Sequence, residues 1–151
     1  MRTPIASERP AVARILMVDD NKSGLAARKT VLEELGHSVT TSTRAEDAFE
    51  LLSTAPFELV ITDHRLGKVN GVELIRKIHA AEFKVPVIML SSLVEALGLT
   101  ESSTGADVVL PKSANELIHL TRAVSRLLRP AAKRKPPNRQ AAQAKAKRQQ
   151  A

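Results

Sequence analysis

Short apolar runs alternate with amphipathic segments along most of the chain. The apolar runs have the length of strands, and most are apolar throughout, which is typical of strands buried on both faces. They lie at residues 14–19, 38–42, 58–63, 85–91 and 107–110. The segments between them have helical spacing and lie at residues 22–35, 44–53, 72–82, 93–102 and 115–129. Five strand–helix units in a row predict an α/β, doubly wound (βα)5 fold, with a five-stranded parallel sheet and helices on both faces.

The first and last predicted helices each carry an apolar face at helical spacing. Gly36 follows the first helix, where a left-handed residue often ends one, and Pro130 ends the last. The predicted buried faces are Leu25, Val31, Leu32 and Leu35 in the first helix, and Leu117, Leu120, Val124 and Leu127 or Leu128 in the last.

The composition is that of a globular protein of one domain. The chain has 151 residues, of which 43% are apolar and 26% charged. It has no cysteine, which excludes disulfides, thiolate nucleophiles and cysteine zinc sites, and its four histidines lack metal-ligand spacing. No run approaches the roughly 20 apolar residues of a membrane span, and no signal peptide is evident. We therefore expect a cytoplasmic protein without membrane insertion.

Positive charge is concentrated at one end of the chain. Residues 131–151 hold seven lysines and arginines and no acidic residue, so with a net charge of +7 the first 130 residues are neutral. This segment also lacks large apolar side chains. We predict a flexible leader at residues 1–13, one domain at 14–130 and a disordered basic tail at 131–151. The tail would attract polyanions weakly, and a solubilising extension explains it equally well.

Polar residues end most of the predicted strands. Asp19 and Asp20 end the first, Asp63 the third, Ser91 the fourth, and Lys112 follows the fifth. Each alone has an ordinary explanation as a helix cap, a turn residue or a solvated charge. Because the carboxyl ends of parallel strands meet at one edge, we expect three carboxylates, a hydroxyl and an ammonium to converge there.

This set of groups suits phosphoryl chemistry. Clustered carboxylates repel one another, and a divalent cation with oxygen ligands, most plausibly Mg²⁺, relieves that repulsion. A cation, a lysine and a hydroxyl together suit binding of a phosphoryl group. No glycine-rich phosphate loop follows the first strand, so nucleotide binding by that route is unsupported. A carboxylate can itself be the nucleophile and form an acyl phosphate.

The ordered set resembles the receiver domain of bacterial two-component response regulators. The acidic pair Asp19-Asp20 matches, as do Asp63 with Gly71 eight residues later, the run at 85–91, and the run at 105–107 leading to Lys112. The resemblance covers about residues 14–129. It implies a flavodoxin-like fold and a stand-alone receiver that takes part in phosphorelay signalling.

The resemblance also implies a role for each acidic residue. Asp63 would accept the phosphoryl group from a sensor histidine kinase or phosphotransfer protein. Asp20 and Asp63 would bind Mg²⁺ directly and Asp19 chiefly through water. The main-chain carbonyl of Arg65 would complete the protein ligands of the metal.

The remaining implied roles concern the phosphoryl oxygens and the output. Lys112 would pair with these oxygens, and Ser91 would be the switch hydroxyl that hydrogen-bonds one of them. We expect no enzymatic activity beyond self-phosphorylation and autodephosphorylation. Because about twenty residues follow the last helix, too few for an effector domain, we expect signalling by protein contact. The expected docking face for a downstream target is built by the last two helices and the fifth strand.

Several positions differ from the family pattern and leave the rates of switching and dephosphorylation open. Those positions are Arg65, Gly67, Ser92, Val109 and Ser113.

Three alternatives have different consequences. An aspartyl phosphatase is disfavoured because the pattern Asp-x-Asp-x-Thr is missing from the first strand. Nucleic-acid binding through the tail predicts salt-sensitive binding that deletion of residues 131–151 abolishes. A phosphorylation-independent pseudo-receiver scaffold is disfavoured by the intact acidic set, whereas Val109 and Ser113 keep it open.

Overall fold

The computed structural model describes residues 12–129, and the predicted tail and most of the predicted leader lie outside them. In chain order the strands are β1 (Arg14–Val18), β2 (Ser38–Ser42), β3 (Leu59–Asp63), β4 (Arg65–Leu66), β5 (Val69–Asn70), β6 (Val87–Ser91) and β7 (Val108–Pro111). The helices are α1 (Lys22–Glu34), α2 (Ala45–Thr54), α3 (Gly71–Ala80), α4 (Val94–Leu97), α5 (Glu101–Thr104) and α6 (Glu116–Leu128).

Five strands form one parallel sheet in the order β2-β1-β3-β6-β7, which confirms the predicted α/β fold. Every residue of β3 and β6 is buried, as their apolar runs predict. In the register of these two strands, Asp63 pairs with Leu90. The central strand therefore ends at a carboxylate, beside the end of its neighbour β6.

Helices cover both faces of the sheet. Leu25 and Leu32 of α1 and Leu120 and Val124 of α6 pack with strand residues such as Ile61 on one face. On the other face, α2 and α3 bury Ala48, Leu52, Leu74, Ile75 and Ile78 against strand residues that include Val60 and Met89. This packing removes large apolar side chains from water on both sides and fixes the strand ends.

The ends of the first and last helices confirm two predictions. Gly36 has φ of +97°, and its N–H donates to the main-chain oxygen of Glu33 at 2.9 Å. The last helix ends at Leu128, and Arg129 is extended with φ of −62° and ψ of 139°. An extended residue is favoured there because Pro130 follows it.

The predicted continuous helix at residues 93–102 is wrong. The segment forms two short helices, α4 and α5, separated by Gly98 in the left-handed conformation with φ of +59°. Thr100 then starts α5, where its side chain accepts from the Ser103 N–H at 3.1 Å. A left-handed glycine and a new N-cap interrupt the helical hydrogen bonds that the apolar spacing alone favours.

Two residues of the predicted buried faces are exposed, so those assignments are wrong. Leu35 is 46% exposed because it caps α1 after the last helical residue. Leu117 is 38% exposed because it lies in the first turn of α6, and the buried positions of that helix begin at Leu120. On α1, the buried face is completed by Arg28, which lies between Leu25 and Leu32.

The amino end of the described chain packs against the loop before β2. Ala13 is buried, and its N–H donates to Nδ1 of the buried His37 at 3.1 Å. The Ser38 N–H donates to the main-chain oxygen of Ala13 at 2.9 Å. Within residues 12–129, no helix is both long and apolar enough to cross a membrane.

Candidate acidic site at the carboxyl edge of the sheet

The structure brings the predicted polar residues to one edge of the sheet. Asp63 and Ser91 are the last residues of β3 and β6, Asp19 follows β1, and Lys112 follows β7. The Lys112 ammonium contacts two of the acids, with its Nζ 3.0 Å from Oδ1 of Asp63 and 3.2 Å from Oδ2 of Asp19. Residues far apart in sequence therefore form one cluster, as the rule for parallel sheets predicts.

Asp19, Asp20 and Asp63 form a cluster that fits a divalent cation. Each offers one carboxylate oxygen, and the three oxygens lie within 4.8 Å of one another. Asp19 and Asp63 are buried, whereas Asp20 is exposed. Carboxylate oxygens at this density are the donors that hard cations such as Mg²⁺ prefer.

Asp63 is held in an environment that disfavours its charge. Burial is the largest effect and raises the pKa of Asp63 above its usual value of 3.8. The hydrogen bond from Lys112 lowers this pKa, and the nearby charge of Asp19 raises it. The His64 N–H also donates to Oδ1 of Asp63 at 2.9 Å. The carboxylate is thus oriented by two donors but incompletely compensated.

Both oxygens of Asp19 are engaged. Its Oδ1 accepts from the Asn21 N–H at 2.9 Å, and its Oδ2 accepts from Lys112 and from Nη1 of Arg28, the latter at 2.9 Å. The guanidinium of Arg28 also donates from Nε to Oε1 of Glu116 at 2.7 Å. The acidic cluster therefore has a buried counter-ion on α1.

Sequence reasoning missed Arg28 and Glu116, although the sequence holds a signal for Arg28. Leu25, Arg28 and Leu32 are spaced to share one helical face, so a charged residue stands in an apolar row. A buried guanidinium needs an anionic partner. Nothing local in the sequence identifies Glu116, which is 88 residues away along the chain.

The loop after Asp63 forms a tight connection that the strand and helix patterns do not predict. Strands β4 and β5 form an antiparallel hairpin around Gly67, which has φ of +71°. The Gly71 N–H donates to the main-chain oxygen of His64 at 2.7 Å. A Cβ at Gly71 would overlap the main-chain oxygen of Asp63. Gly71 is thus required by close approach of two backbone segments, and α3 begins directly against the acidic site.

The Ser91 hydroxyl lies at the same edge but faces the next segment. Its Oγ accepts from the Leu93 N–H at 3.0 Å, and the residue is buried. Its main-chain oxygen accepts from the Lys112 N–H at 2.9 Å. Ser91 thus links the end of β6 both to the residue before α4 and to the lysine of the site.

The remaining residues of interest lie around this cluster. Arg65 is exposed and begins the hairpin two residues after Asp63. The metal-binding role of its main-chain carbonyl stays a prediction. Val109 is partly buried and packs against the face covered by α2 and α3. Ser113 follows Lys112, and its Oγ accepts from the Asn115 N–H at 3.3 Å before α6 begins.

Comparison with curated proteins finds receiver-containing regulators. A gliding motility regulatory protein of Myxococcus xanthus is 31% identical over 132 residues, which cover 84% of this chain and 17% of that protein. A probable transcriptional regulator, ycf27, of Cyanidium caldarium is 34% identical over 106 residues, which cover 68% of this chain and 42% of the relative. The chain therefore spans less than half of the length of either relative.

Solved receiver structures have the same fold. The response regulator TrrA of Thermotoga maritima, in complex with Mg²⁺ and BeF, superposes with a TM-score of 0.68 at 27% identity, covering 76% of this chain and 97% of that one. A two-component response regulator from Clostridium difficile gives a TM-score of 0.70 at 26% identity, covering 77% and 95%. The family model for the response regulator receiver domain matches residues 15–124. Fold, site and sequence agree, and the chain belongs to the response regulator receiver domain family of two-component systems.

Proposed function

We propose that Asp63 is the phosphoacceptor of this receiver and takes its phosphoryl group from a phosphohistidine of a sensor kinase or phosphotransfer protein. The observation that carries this proposal is the contact of 3.0 Å between Nζ of Lys112 and Oδ1 of Asp63, at the edge of a cluster of three carboxylates. Asp63 ends the central strand and offers a second oxygen, Oδ2, besides the one that Lys112 holds.

The transfer step exchanges one bond to phosphorus for another. A carboxylate oxygen of Asp63 attacks phosphorus while the phosphorus–nitrogen bond of the phosphohistidine breaks, and the electron pair returns to the imidazole nitrogen. The product is an aspartyl phosphate on this chain. Lys112 offsets the negative charge that the phosphoryl oxygens bring, because its ammonium already lies at the reacting carboxylate.

Magnesium is the proposed cofactor of this site. Asp20 and Asp63 would hold it directly, Asp19 would act chiefly through water, and the main-chain carbonyl of Arg65 would complete the set. When bound, the cation neutralises phosphoryl oxygens. The three carboxylate oxygens within 4.8 Å support this assignment, as does the similarity to a receiver solved with Mg²⁺ and BeF.

Ser91 is the proposed switch residue. Its hydroxyl now accepts from the Leu93 N–H at 3.0 Å, and we expect it to donate instead to a phosphoryl oxygen on Asp63. That exchange would release Leu93 and shift the segment that contains α4 and α5. Because α4 and α5 are each only four residues long, we expect a small local change at Leu93 to move this segment.

The proposed output is a protein contact on the face formed by α4, α5, β7 and α6. Two exposed apolar side chains support this face, namely Leu97 at 55% and Ile118 at 52% exposure. Leu110, Arg122 and Arg126 line a shallow groove between β7 and α6. The downstream target is expected to cover these apolar groups.

The proposed chemistry is confined to the chain's own phosphorylation and dephosphorylation. A phosphatase that turns over external substrates needs an acid to protonate each leaving group. Asp20 is assigned here to the cation, Asp63 to the phosphoryl group and the cation, and Lys112 to charge balance. Incubation with small phosphate esters should release no phosphate beyond the buffer control, and catalytic turnover would contradict this part of the proposal.

The test is the intact mass of the full chain after incubation with acetyl phosphate and Mg²⁺. We expect one phosphoryl adduct on the wild type and none on Asp63→Asn or in the presence of EDTA. Asp47→Asn is the matched control, since Asp47 is an exposed aspartate in the first turn of α2, and it should keep the adduct.

Two results would overturn the proposal. The first is an adduct that survives Asp63→Asn. The second is the absence of any adduct with acetyl phosphate and with a panel of phosphorylated histidine kinases.

A further inference from the structure

Arg28 is a buried cation that contacts the acidic site through Asp19. Its side chain is 8% exposed and contacts Asp19 at 2.9 Å and Glu116 at 2.6 Å. We propose that Arg28 is an internal counter-ion that competes with the divalent cation for Asp19 and thereby sets the cation affinity of the site. This inference depends on the proposed function in that the acidic cluster is taken to bind Mg²⁺.

The geometry fixes Arg28 in this position. Nη1 contacts Asp19 while Nε and Nη2 contact Oε1 of Glu116, so the planar fork bridges two carboxylates. Gly24 lies one helical turn earlier, and a Cβ there would be 3.0 Å from Nη1. The small residue leaves the space that the guanidinium fills. Arg28 is therefore part of a built ion network and not a mobile surface charge.

The charges around Asp19 explain the competition. Oδ2 of Asp19 already accepts from Arg28 and Lys112, and Oδ1 accepts from the Asn21 N–H. A divalent cation in the cluster gains little from an oxygen whose charge is already paired, and it is repelled by the nearby guanidinium. Arg28 is buried, and a buried charge without an anionic partner is strongly unfavourable. The guanidinium therefore stays paired with Asp19 and Glu116.

Glu116 also affects how tightly Arg28 holds Asp19. It is the first residue of α6 and draws the guanidinium away from Asp19 by sharing its charge. Without the charge of Glu116, Asp19 becomes the sole anionic partner of Arg28 and is held more tightly. Loss of Arg28 and loss of Glu116 therefore have opposite effects on cation binding. A general loss of stability would instead change the cation affinity of the Arg28 and Glu116 variants in the same direction.

The experiment is calorimetric titration of the full chain with MgCl₂. For Arg28→Gln we expect affinity roughly ten-fold higher than for the wild type, the scale on which outer partners of metal ligands act. For Glu116→Gln we expect affinity about two- to five-fold lower, as for loss of a partly exposed ion pair. Arg76→Gln is the charge-matched control, because Arg76 is exposed on α3 at the opposite face of the sheet, and it should leave the affinity unchanged.

A second readout addresses the stability of the variants. Removing a buried ion partner destabilises the fold, so the Arg28→Gln chain is also unfolded thermally with and without MgCl₂. We expect MgCl₂ to raise the unfolding temperature of this variant by more than that of the wild type. Arg28→Lys keeps the charge and loses the fork, and its Mg²⁺ affinity should lie between those of the wild type and Arg28→Gln.

The outcomes separate this inference from the proposed function. Mg²⁺ affinity that is unchanged or lower in Arg28→Gln, or that shifts in the same direction in Arg28→Gln and Glu116→Gln, overturns the counter-ion role even if Asp63 is phosphorylated. The expected opposite shifts with no phosphorylation of Asp63 support the counter-ion role and overturn the proposed function alone. Absence of Mg²⁺ binding by every variant overturns both.

Discussion

Nζ of Lys112, which follows β7, lies 3.0 Å from Oδ1 of Asp63 at the end of β3, and it also contacts Asp19. One ammonium thus serves two buried carboxylates. Burial still outweighs this compensation at Asp63, because its pKa remains raised. The site in the absence of a cation therefore carries an unfavourable negative charge, and binding a cation or neutralising Asp63 relieves it.

This excess charge predicts the effect of Asp63→Asn on stability. The pKa of Asp63 in the fold is raised from 3.8, so the protonated acid favours the folded state. Its stabilising contribution is complete below pH 3.8 and is lost as the pH rises through the folded-state pKa. In EDTA, Asp63→Asn should become more stable than the wild type as the pH rises, as measured by urea unfolding across that window. A difference in unfolding free energy that is independent of pH would contradict this account.

Gly71→Ala tests the close approach between α3 and the acidic strand end. The added Cβ overlaps the main-chain oxygen of Asp63, so we expect a loss of about 1–3 kcal/mol of unfolding free energy, the usual cost of overpacking. We also expect slower phosphorylation, because the backbone of Asp63 must shift. Gly67→Ala is the control. Gly67 has a left-handed backbone, so a Cβ there should lower the stability. Because no atom lies within 4 Å of that Cβ, the phosphorylation rate should be unchanged.

His37 predicts a loss of stability in mild acid. Burial lowers the pKa of His37 below 6.5, so the fold holds it neutral, with Nδ1 accepting from the Ala13 N–H. As the pH falls below 6.5, the unfolded chain gains a proton that the folded chain resists, and stability declines. The wild-type unfolding free energy should fall as the pH drops below 6.5, and His37→Asn should flatten this slope. His119→Asn, at an exposed position on α6, should leave the slope intact.

Ser91→Ala separates phosphorylation from switching. The variant keeps Asp63 and Lys112, so the phosphoryl adduct should form as in the wild type. Because the hydroxyl that bonds the Leu93 N–H is gone, phosphorylation should no longer shift the amide resonances of α4 and α5. Ser92→Ala changes the exposed neighbour and should preserve those shifts. If phosphorylation shifts these amide resonances in Ser91→Ala as much as in the wild type, Ser91 is not the switch residue.

The features that the sequence predicts are those with a local cause. Alternation of apolar runs and helical spacing identified the five strands of the sheet, and polar residues at strand ends identified Asp19, Asp63 and Lys112 as neighbours. These predictions hold because strand direction brings the carboxyl ends together whatever the loops do.

The features that escaped prediction depend on tertiary contact or on competing local signals. Arg28 and Glu116 meet only when α1 and α6 pack on the same face. The break at Gly98 depends on a left-handed residue and a Thr100 cap, which outweigh apolar spacing. Leu117 has the spacing of a buried residue but precedes the region where α6 reaches the sheet.

The most direct test of the claim that Asp63 is the phosphoacceptor is to identify the phosphorylated residue by reductive trapping. Borohydride reduces an aspartyl phosphate to the alcohol, which converts the acceptor aspartate to homoserine, and peptide sequencing by mass spectrometry then locates it. After incubation with acetyl phosphate and Mg²⁺, the account predicts homoserine at position 63 and aspartate at positions 19, 20 and 47. Homoserine at position 19 or 20 in place of 63, or at no position in a sample that carries the adduct, would contradict it.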